Sequence, residues 1–171
     1  MNTFKCFILI VLSFFVYACS NLTNEAIKYN DLIIERQQKI VSLFNKLDSS
    51  FVDTINKSYI QNLEILKKEI ENQFTFIDTI ASFNGSDEYK NEYKTLLNAY
   101  YETLNNEYQN MIEWNSLPNE QFTKEVSDKF YKTYENANKK IEKAVNKFIE
   151  FQKSFAQKYK FNLIDQNTNE N

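Results

Sequence analysis

A stripe of inward positions at helical spacing runs along the first long segment of the chain. These positions follow one another at alternating steps of four and three residues, which is the spacing of a heptad seam. They are Ala26, Asn30, Ile33, Gln37, Ile40, Phe44, Leu47 and Phe51. The spacing predicts an amphipathic helix whose seam packs against other helices and carries two amides among its apolar side chains.

Three further stripes follow at the same spacing. The second, which Lys67 interrupts, consists of Ile60, Leu63, Ile70, Phe74, Ile77 and Ala81. The third consists of Tyr89, Tyr93, Leu96, Leu97, Tyr100, Leu104, Tyr108 and Met111. The fourth consists of Phe122, Val126, Phe130, Ala137, Ile141, Ala144, Phe148, Phe151 and Phe155. The chain is therefore predicted to form four long helices.

Short connections separate the four stripes. The breaks fall near Asp53 to Ser58, at Asn84 to Asp87 and at Asn115 to Asn119, and the last two hold the only glycine and the only proline. Helices with short connections pack as antiparallel neighbours. We therefore expect an all-α fold, an elongated antiparallel four-helix bundle of up-down-up-down topology.

Two of these connections carry capping signals. Ser58 and Gln61 have the spacing of a capping box. Gly85 suits the left-handed position that ends a helix, and Ser86 suits the cap of the next helix. We expect the second helix to begin after Ser58 and to end at Gly85.

The N-terminus has the layout of a signal peptide. Lys5 supplies a positive charge, and Cys6 to Val16 is apolar except for Ser13. This stretch is shorter than the ~20 residues of a spanning helix. We expect it to be removed.

The segment Val16-Tyr17-Ala18-Cys19 resembles the bacterial lipobox, in which the cysteine receives a diacylglyceryl group before cleavage. Cys19 is the predicted lipidation site, and it would be the only cysteine of the mature chain, so no internal disulfide is expected. A protein with two or more acyl chains stays on its membrane. Ser20, directly after the cysteine, suits the outer membrane by resemblance to known sorting patterns, while exposure on the cell surface stays open.

These signals define four predicted regions. Residues 1–18 are the lipoprotein signal peptide, 19–23 the lipidated tether, 24–161 the four-helix bundle and 162–171 a polar disordered tail. The mature part has about 150 residues, the size of one domain.

Composition argues against several function classes. The chain has 20 Lys and Arg against 23 Asp and Glu, interspersed, so no basic stripe is available for nucleic acid. Histidine, the commonest general base and a frequent metal ligand, is absent. No glycine-rich phosphate loop or serine-nucleophile motif occurs. We expect no enzyme, no cofactor, no metal site and no nucleic-acid partner.

Two pairs of residues are candidate binding positions. Asn30 and Gln37 lie on the seam of the first helix, where they either set the register of the bundle or hold a ligand. Trp114 and Leu117, near the third connection, either form a partner-contacting tip or plug the end of the bundle. The many Phe and Tyr residues also allow a pocket for an apolar ligand, although core packing explains the same pattern.

Short motifs carry a resemblance to a known family. They are Ala26-x-x-Tyr29-Asn30-Asp31-x-Ile33-x-x-x-Gln37-x-x-Ile40, Phe83-Asn84-Gly85, Glu107-Tyr108 and Phe151-Gln152-x-x-Phe155-Ala156-x-x-Tyr159. The chain resembles a family of small all-helical bacterial surface lipoproteins over nearly all of its mature part. The resemblance implies a lipid anchor and a helical fold, and it brings no catalytic residues.

The expected function is that of a membrane-anchored envelope or surface lipoprotein. Its bundle would act as a non-enzymatic binding or structural module for a protein or envelope partner that the sequence does not identify. The alternative is a carrier that binds a small apolar or aromatic ligand between its helices.

Overall fold

The structure, a computed structural model, describes residues 3–51 and 57–163, with side chains from residue 21 onward. Its helices are α1 (Thr3–Ser50), α2 (Tyr59–Thr79), α3 (Glu88–Thr103), a π-helix (Leu104–Tyr108), α4 (Gln109–Asn115) and α5 (Lys124–Tyr159). α3, the π-helix and α4 follow one another without a break and form one rod, called here the α3–α4 rod. The described residues contain no strand, and the predicted all-α four-helix bundle is confirmed.

The chain divides into two compact units, and both α1 and α5 contribute to each of them. One unit comprises Met1–Ile34 with Glu150–Asn171, and the other comprises Glu35–Ile149. Within the described ranges, no helix has the length and apolar character needed to cross a membrane.

Neighbouring helices of the unit Glu35–Ile149 run antiparallel. In each pair of neighbouring helices, later residues of one helix contact earlier residues of the other. The pairs are Arg36–Phe76 and Phe51–Tyr59 between α1 and α2, Asp78–Lys94 and Tyr59–Asn115 between α2 and the α3–α4 rod, and Glu92–Lys147 and Glu107–Lys140 between that rod and α5. The predicted antiparallel order of the helices therefore holds in this unit.

The core of this unit is rich in tyrosine. Every inward position predicted for the third helix is buried, from Tyr89 to Met111. Tyr100 packs on Phe44 with ring centroids 5.2 Å apart, and Tyr108 lies 5.9 Å from the same ring. Large aromatic side chains bury much apolar area at low cost in rotamer entropy, so these contacts are a main source of packing energy.

The predicted stripe of α2 is wrong at its start. Tyr59 is fully buried and stacks on Phe51 at 5.4 Å, which turns Ile60 toward solvent with 49% of its surface exposed. The predicted capping box is also wrong, because Ser58 has helical dihedral angles (φ −68°, ψ −8°) and its side chain caps no backbone N–H. A capping residue normally has an extended conformation.

The connection between α2 and α3 differs in detail from the prediction. α2 ends at Thr79, so Gly85 does not terminate it. Asn84 (φ 48°) and Gly85 (φ 74°) instead form a tight turn that the N–H of Ser86 closes on the carbonyl of Phe83 at 2.9 Å. Two successive positive φ angles are typical of a type I′ turn.

α5 begins later than its apolar stripe. Phe122, predicted to face inward on the fourth helix, precedes Lys124 and is 37% exposed. The hydroxyl of Thr123 accepts a hydrogen bond from the N–H of Val126 at 3.4 Å, and this contact helps to place the start of the helix.

The unit that contains the N-terminal part of α1 joins it to the end of α5. Thr23 donates a hydrogen bond from its hydroxyl to the carbonyl of Tyr159 at 2.9 Å. Phe155 lies 4.7 Å from Tyr159 and 6.1 Å from Phe161 between ring centroids, so an aromatic cluster covers the end of α5.

Candidate functional site

The two predicted seam amides have different surroundings. Asn30, in the unit Met1–Ile34 with Glu150–Asn171, is only 2% exposed, and its amide donates to the carboxylate of Asp31 at 3.3 Å. Gln37 belongs to the other unit, is half-buried and lies beside the hydroxyl of Tyr100. The two amides thus belong to different units, and each has a polar neighbour within its own unit.

Gln37 forms part of a polar cluster inside the unit Glu35–Ile149. Burial raises the pKa of Tyr100 to about 12, and the nearby amide of Gln37 lowers it again in part, although the two groups do not form a hydrogen bond of normal geometry. Burial also raises the pKa of Tyr93, whose surroundings include Tyr100 and Arg36. Both hydroxyls stay protonated near neutral pH, so they can donate but carry no charge.

α2 contributes an acid and an amide to the same cluster. Gln73 donates to Glu69 at 2.5 Å, and Lys39 of α1 forms an ion pair with Glu69 at 2.7 Å. Arg36, the only arginine of the chain, lies over the ring of Phe76 with its Cζ 3.5 Å from the centroid. This cluster ties α1 to α2 and has the character of a structural network.

A groove with a volume of about 400 Å³ lies between the α3–α4 rod and α5 in the unit Glu35–Ile149. It is called here the α3–α5 groove. Its lining consists of Glu92, Thr95, Leu96, Ala99, Glu102, Thr103, Asn106, Lys140, Lys143, Ala144, Lys147 and Phe148. The volume falls in the range of pockets for small molecules.

Small side chains keep this groove open. Ala99 and Ala144 project little from their helices, and the hydroxyl of Thr103 donates to the carbonyl of Ala99 at 2.7 Å. Leu96 and Phe148 are buried behind them, and Phe148 packs edge-on against Tyr89 at 5.8 Å. The groove therefore has an apolar, well-packed floor.

Ion pairs cross the groove at both ends. Lys147 pairs with Glu92 at 3.0 Å, and Lys140 pairs with Glu107. Between these two bridges lie Lys143 on α5 and Glu102 on the α3–α4 rod, and neither forms an ion pair with another residue that the structure describes. The middle of the groove is therefore open and carries one charge of each sign on opposite rims.

Known proteins give no guide to this groove. The chain matched no family model, no curated protein and no solved structure.

Among the described residues, no three His, Cys, Asp or Glu side chains are arranged to hold a metal ion. The ligand of the groove therefore has to be inferred from the side chains that line it.

A second acid, half-buried, lies next to the π-helix. Asp48 of α1 accepts hydrogen bonds from Tyr108 at 2.7 Å and from Tyr134 at 3.4 Å. Burial raises the pKa of Asp48, and the two hydroxyls offset this shift only in part. π-helical turns are frequent at functional sites, and here the wide turn also places Asn106 in the lining of the α3–α5 groove.

The predicted tip residues are both half-buried. The carbonyl of Trp114 accepts a hydrogen bond from the N–H of Leu117 at 3.1 Å. Leu117 lines a smaller pocket of about 250 Å³ together with Tyr59, Asn115, Phe122 and two polar neighbours, Lys57 and Asn119. Trp114 is not part of this lining.

Cys19, the predicted lipidation site, lies outside the residues whose side chains are described. The lipid anchor stays a prediction from the sequence.

The α3–α5 groove and the acids Asp48 and Glu69 were not predicted from the sequence. The signal for the groove was the presence of two alanines at inward positions, Ala144 in the predicted stripe and Ala99 beside Tyr100. Small residues at facing positions leave space unless larger neighbours fill it. Glu69 was missed because only apolar residues were used to define the stripe of α2.

Proposed function

We propose that this chain is a lipid-anchored, non-enzymatic binding module of the bacterial cell envelope. The observation that carries the proposal is the lipobox-like segment ending at Cys19, which is followed by a bundle of four helices. A diacylglyceryl group holds such a bundle on its membrane without a spanning helix. The partner is a protein or another envelope component, and the membrane is the outer membrane.

The described side chains support a binding role over catalysis. Burial keeps the tyrosine hydroxyls of the core protonated, and Glu69 is engaged by Lys39 and Gln73. These groups form a structural network and do not assemble a nucleophile, a base and an oxyanion site. The α3–α5 groove offers shape and charge, which are the properties that recognition requires.

Lipidation is tested by changing the two cysteines separately. Cys19→Ala is expected to leave an unprocessed precursor or to release the protein from membranes, whereas Cys6→Ala should have no effect because Cys6 is removed with the signal peptide. Intact mass and membrane fractionation measure both outcomes. An unchanged mature mass and retained anchoring in Cys19→Ala would refute the anchor. Protease shaving of whole cells then shows whether the bundle faces outward.

A second candidate function is supported by the groove. The protein would carry a small apolar or aromatic ligand between its helices, in the α3–α5 groove, whose volume of about 400 Å³ suits such a molecule. The test is a fluorescence titration of the mature chain with N-phenyl-naphthylamine, using Cys19→Ser so that no acyl chain competes. Saturable binding supports the carrier, and a linear, non-saturating response contradicts it while leaving the anchoring proposal intact.

A further inference from the structure

The α3–α5 groove is long and narrow. At 1.5 Å per residue, its lining spans about 21 Å of the α3–α4 rod, from Glu92 to Asn106, and about 12 Å of α5, from Lys140 to Phe148. A volume of about 400 Å³ spread over such a length leaves little width. An extended, unbranched apolar chain fits a groove of this length.

The floor of the groove suits a hydrocarbon chain. The lining surface is mostly apolar, with Ala99 and Ala144 lying over the buried Leu96 and Phe148, and the hydroxyl of Thr103 is already satisfied by the carbonyl of Ala99. An apolar chain laid on this floor removes surface from water on both partners, which is the main driving force for such binding.

The charges on the two rims distinguish between head groups. The antiparallel register places Lys143 and Glu102 between the two bridging ion pairs, Lys147–Glu92 and Lys140–Glu107. Lys143 and Glu102 line the same opening without forming an ion pair. A head group that carries both an anion and a cation can contact Lys143 and Glu102 at once. A purely anionic head would be repelled by Glu102, and a purely cationic head would be repelled by Lys143.

We infer that the α3–α5 groove binds a single-chain zwitterionic amphiphile, with its apolar chain along the floor and its charged head between Lys143 and Glu102. This inference rests on the second proposed function, the carrier, and names its ligand class. It does not depend on the lipid anchor at Cys19.

The experiment compares dodecyl compounds that differ only in their head groups. Mature chain with Cys19→Ser is titrated by calorimetry, below the micelle concentration, with dodecylphosphocholine, dodecanoate, dodecyltrimethylammonium and dodecyl maltoside. One saturable site with clear preference for dodecylphosphocholine is expected. Equal affinity for all four probes would refute the zwitterion inference and keep the carrier. No saturable binding by any dodecyl probe would refute the inference, and the titration with N-phenyl-naphthylamine decides the carrier separately.

Rim variants test the roles of the two charges. Lys143→Met and Glu102→Gln are each expected to weaken binding of dodecylphosphocholine by about fivefold, the upper range for a partly exposed ion pair. Lys139→Met and Glu113→Gln are matched controls on exposed positions outside the lining and should leave the affinity unchanged. The double exchange Lys143→Glu with Glu102→Lys keeps both charges, so it should restore the preference. Unchanged affinity in both single variants would refute the head-group assignment.

Groove variants test the location of the chain. Ala144→Phe is expected to lower the affinity for dodecylphosphocholine by more than about tenfold, because the ring occupies the floor. Asn146→Phe adds the same ring to an exposed position of α5 outside the groove and should have no effect. Ala144→Leu serves as a milder filler, and far-UV circular dichroism verifies folding in each case. Full affinity in folded Ala144→Phe would place the site elsewhere and overturn the inference. Binding to phosphatidylcholine vesicles without binding of monomeric dodecylphosphocholine would also overturn it.

Discussion

Two carboxyl groups of the unit Glu35–Ile149, the half-buried Asp48 and the buried Glu69, have pKa shifts of opposite sign. Asp48 has only hydroxyl partners, so burial dominates and raises its pKa. Burial acts in the same direction on Glu69, but hydrogen bonds from Lys39 and Gln73 and the charge of Lys39 outweigh it and lower the pKa. A carboxylate that is paired with a cation stays ionised in spite of its burial. A carboxylate that has only hydroxyl partners resists ionisation.

Asp48 should destabilise the fold as pH rises. Its folded-state pKa is above the ordinary value of 3.8, so the folded protein binds its proton more tightly than the unfolded chain. The stability it contributes is present at low pH and is lost as pH rises through the folded pKa. Asp48→Asn removes this loss, so the unfolding free energy of the variant relative to the unmodified protein should increase between about pH 4 and about pH 7 in urea unfolding.

A matched variant isolates the effect of Asp48. Asp128 is exposed on α5, and Asp128→Asn should leave the pH profile as it is in the unmodified protein. A profile that is equally steep in Asp48→Asn and in the unmodified protein would contradict the assignment of the shift to Asp48.

Glu69 should stabilise the fold at neutral pH. Its folded-state pKa is below the ordinary value of 4.5, so its contribution is present above that value and is lost as pH falls through the folded pKa. Glu69→Gln is expected to lower the unfolding free energy at neutral pH by about 1 kcal/mol, because the pair with the exposed amine of Lys39 is partly screened. Urea titration measures the loss.

The comparison for Glu69 is Glu64→Gln, an exposed position on the same helix. It should change the unfolding free energy by less than about 0.5 kcal/mol. Equal losses in the two variants would show that Glu69 has no special role.

At the scale of the helices, apolar spacing predicted most of the packing correctly. Every inward position predicted for the third helix is buried, because these positions all carry large side chains, but the small buried Thr103 was not among them. The start of α2 was not predicted correctly, since Tyr59 and Ile60 are both apolar and the spacing alone does not say which faces inward. The stack of Tyr59 on Phe51, a contact with another helix, decides it. The π-helix Leu104–Tyr108 has no local signal, because the residues in it are also compatible with an α-helix.

The turn between α2 and α3 depends on a glycine. Gly85 has φ 74°, and a Cβ added there would meet no atom within 4 Å, so a larger residue suffers only from backbone strain. Gly85→Ala is expected to lower the unfolding free energy by about 1–2 kcal/mol. Thermal unfolding followed by circular dichroism measures this change.

Gly85→Asn provides the comparison, because asparagine tolerates positive φ better than alanine does. It should lose less stability than Gly85→Ala. If both variants lost the same amount, side-chain crowding and not backbone conformation would be the cause.

For the molecule as a whole, the four-helix bundle and its order were predictable, and the groove was not. A stripe of inward positions shows which residues turn to the interior, but it does not show whether facing side chains meet. Ala137 and Ala144 are both alanines of the same stripe, two turns apart on α5. Ala137 is completely buried, whereas Ala144 is half-buried beside an open groove. Only the facing helices distinguish them.

This difference allows a test of whether the groove is kept open at a cost in stability. Ala137→Leu adds atoms to filled space and should lower the unfolding free energy by about 1–3 kcal/mol. Ala144→Leu adds the same atoms to the groove, where they find apolar neighbours, and should raise it by about 0.5–2 kcal/mol. Urea unfolding of the two variants measures both changes.

A gain in stability from Ala144→Leu, together with weaker binding of dodecylphosphocholine, would mean that the native sequence leaves stabilising contacts unmade at the place where a ligand enters. Binding sites commonly have this property, because side chains that would complete the packing would also exclude the ligand. A loss of stability in Ala144→Leu as large as that in Ala137→Leu would mean the opposite. The space beside Ala144 would then be ordinary helix packing, and the stability data would give no support for a binding site in the groove.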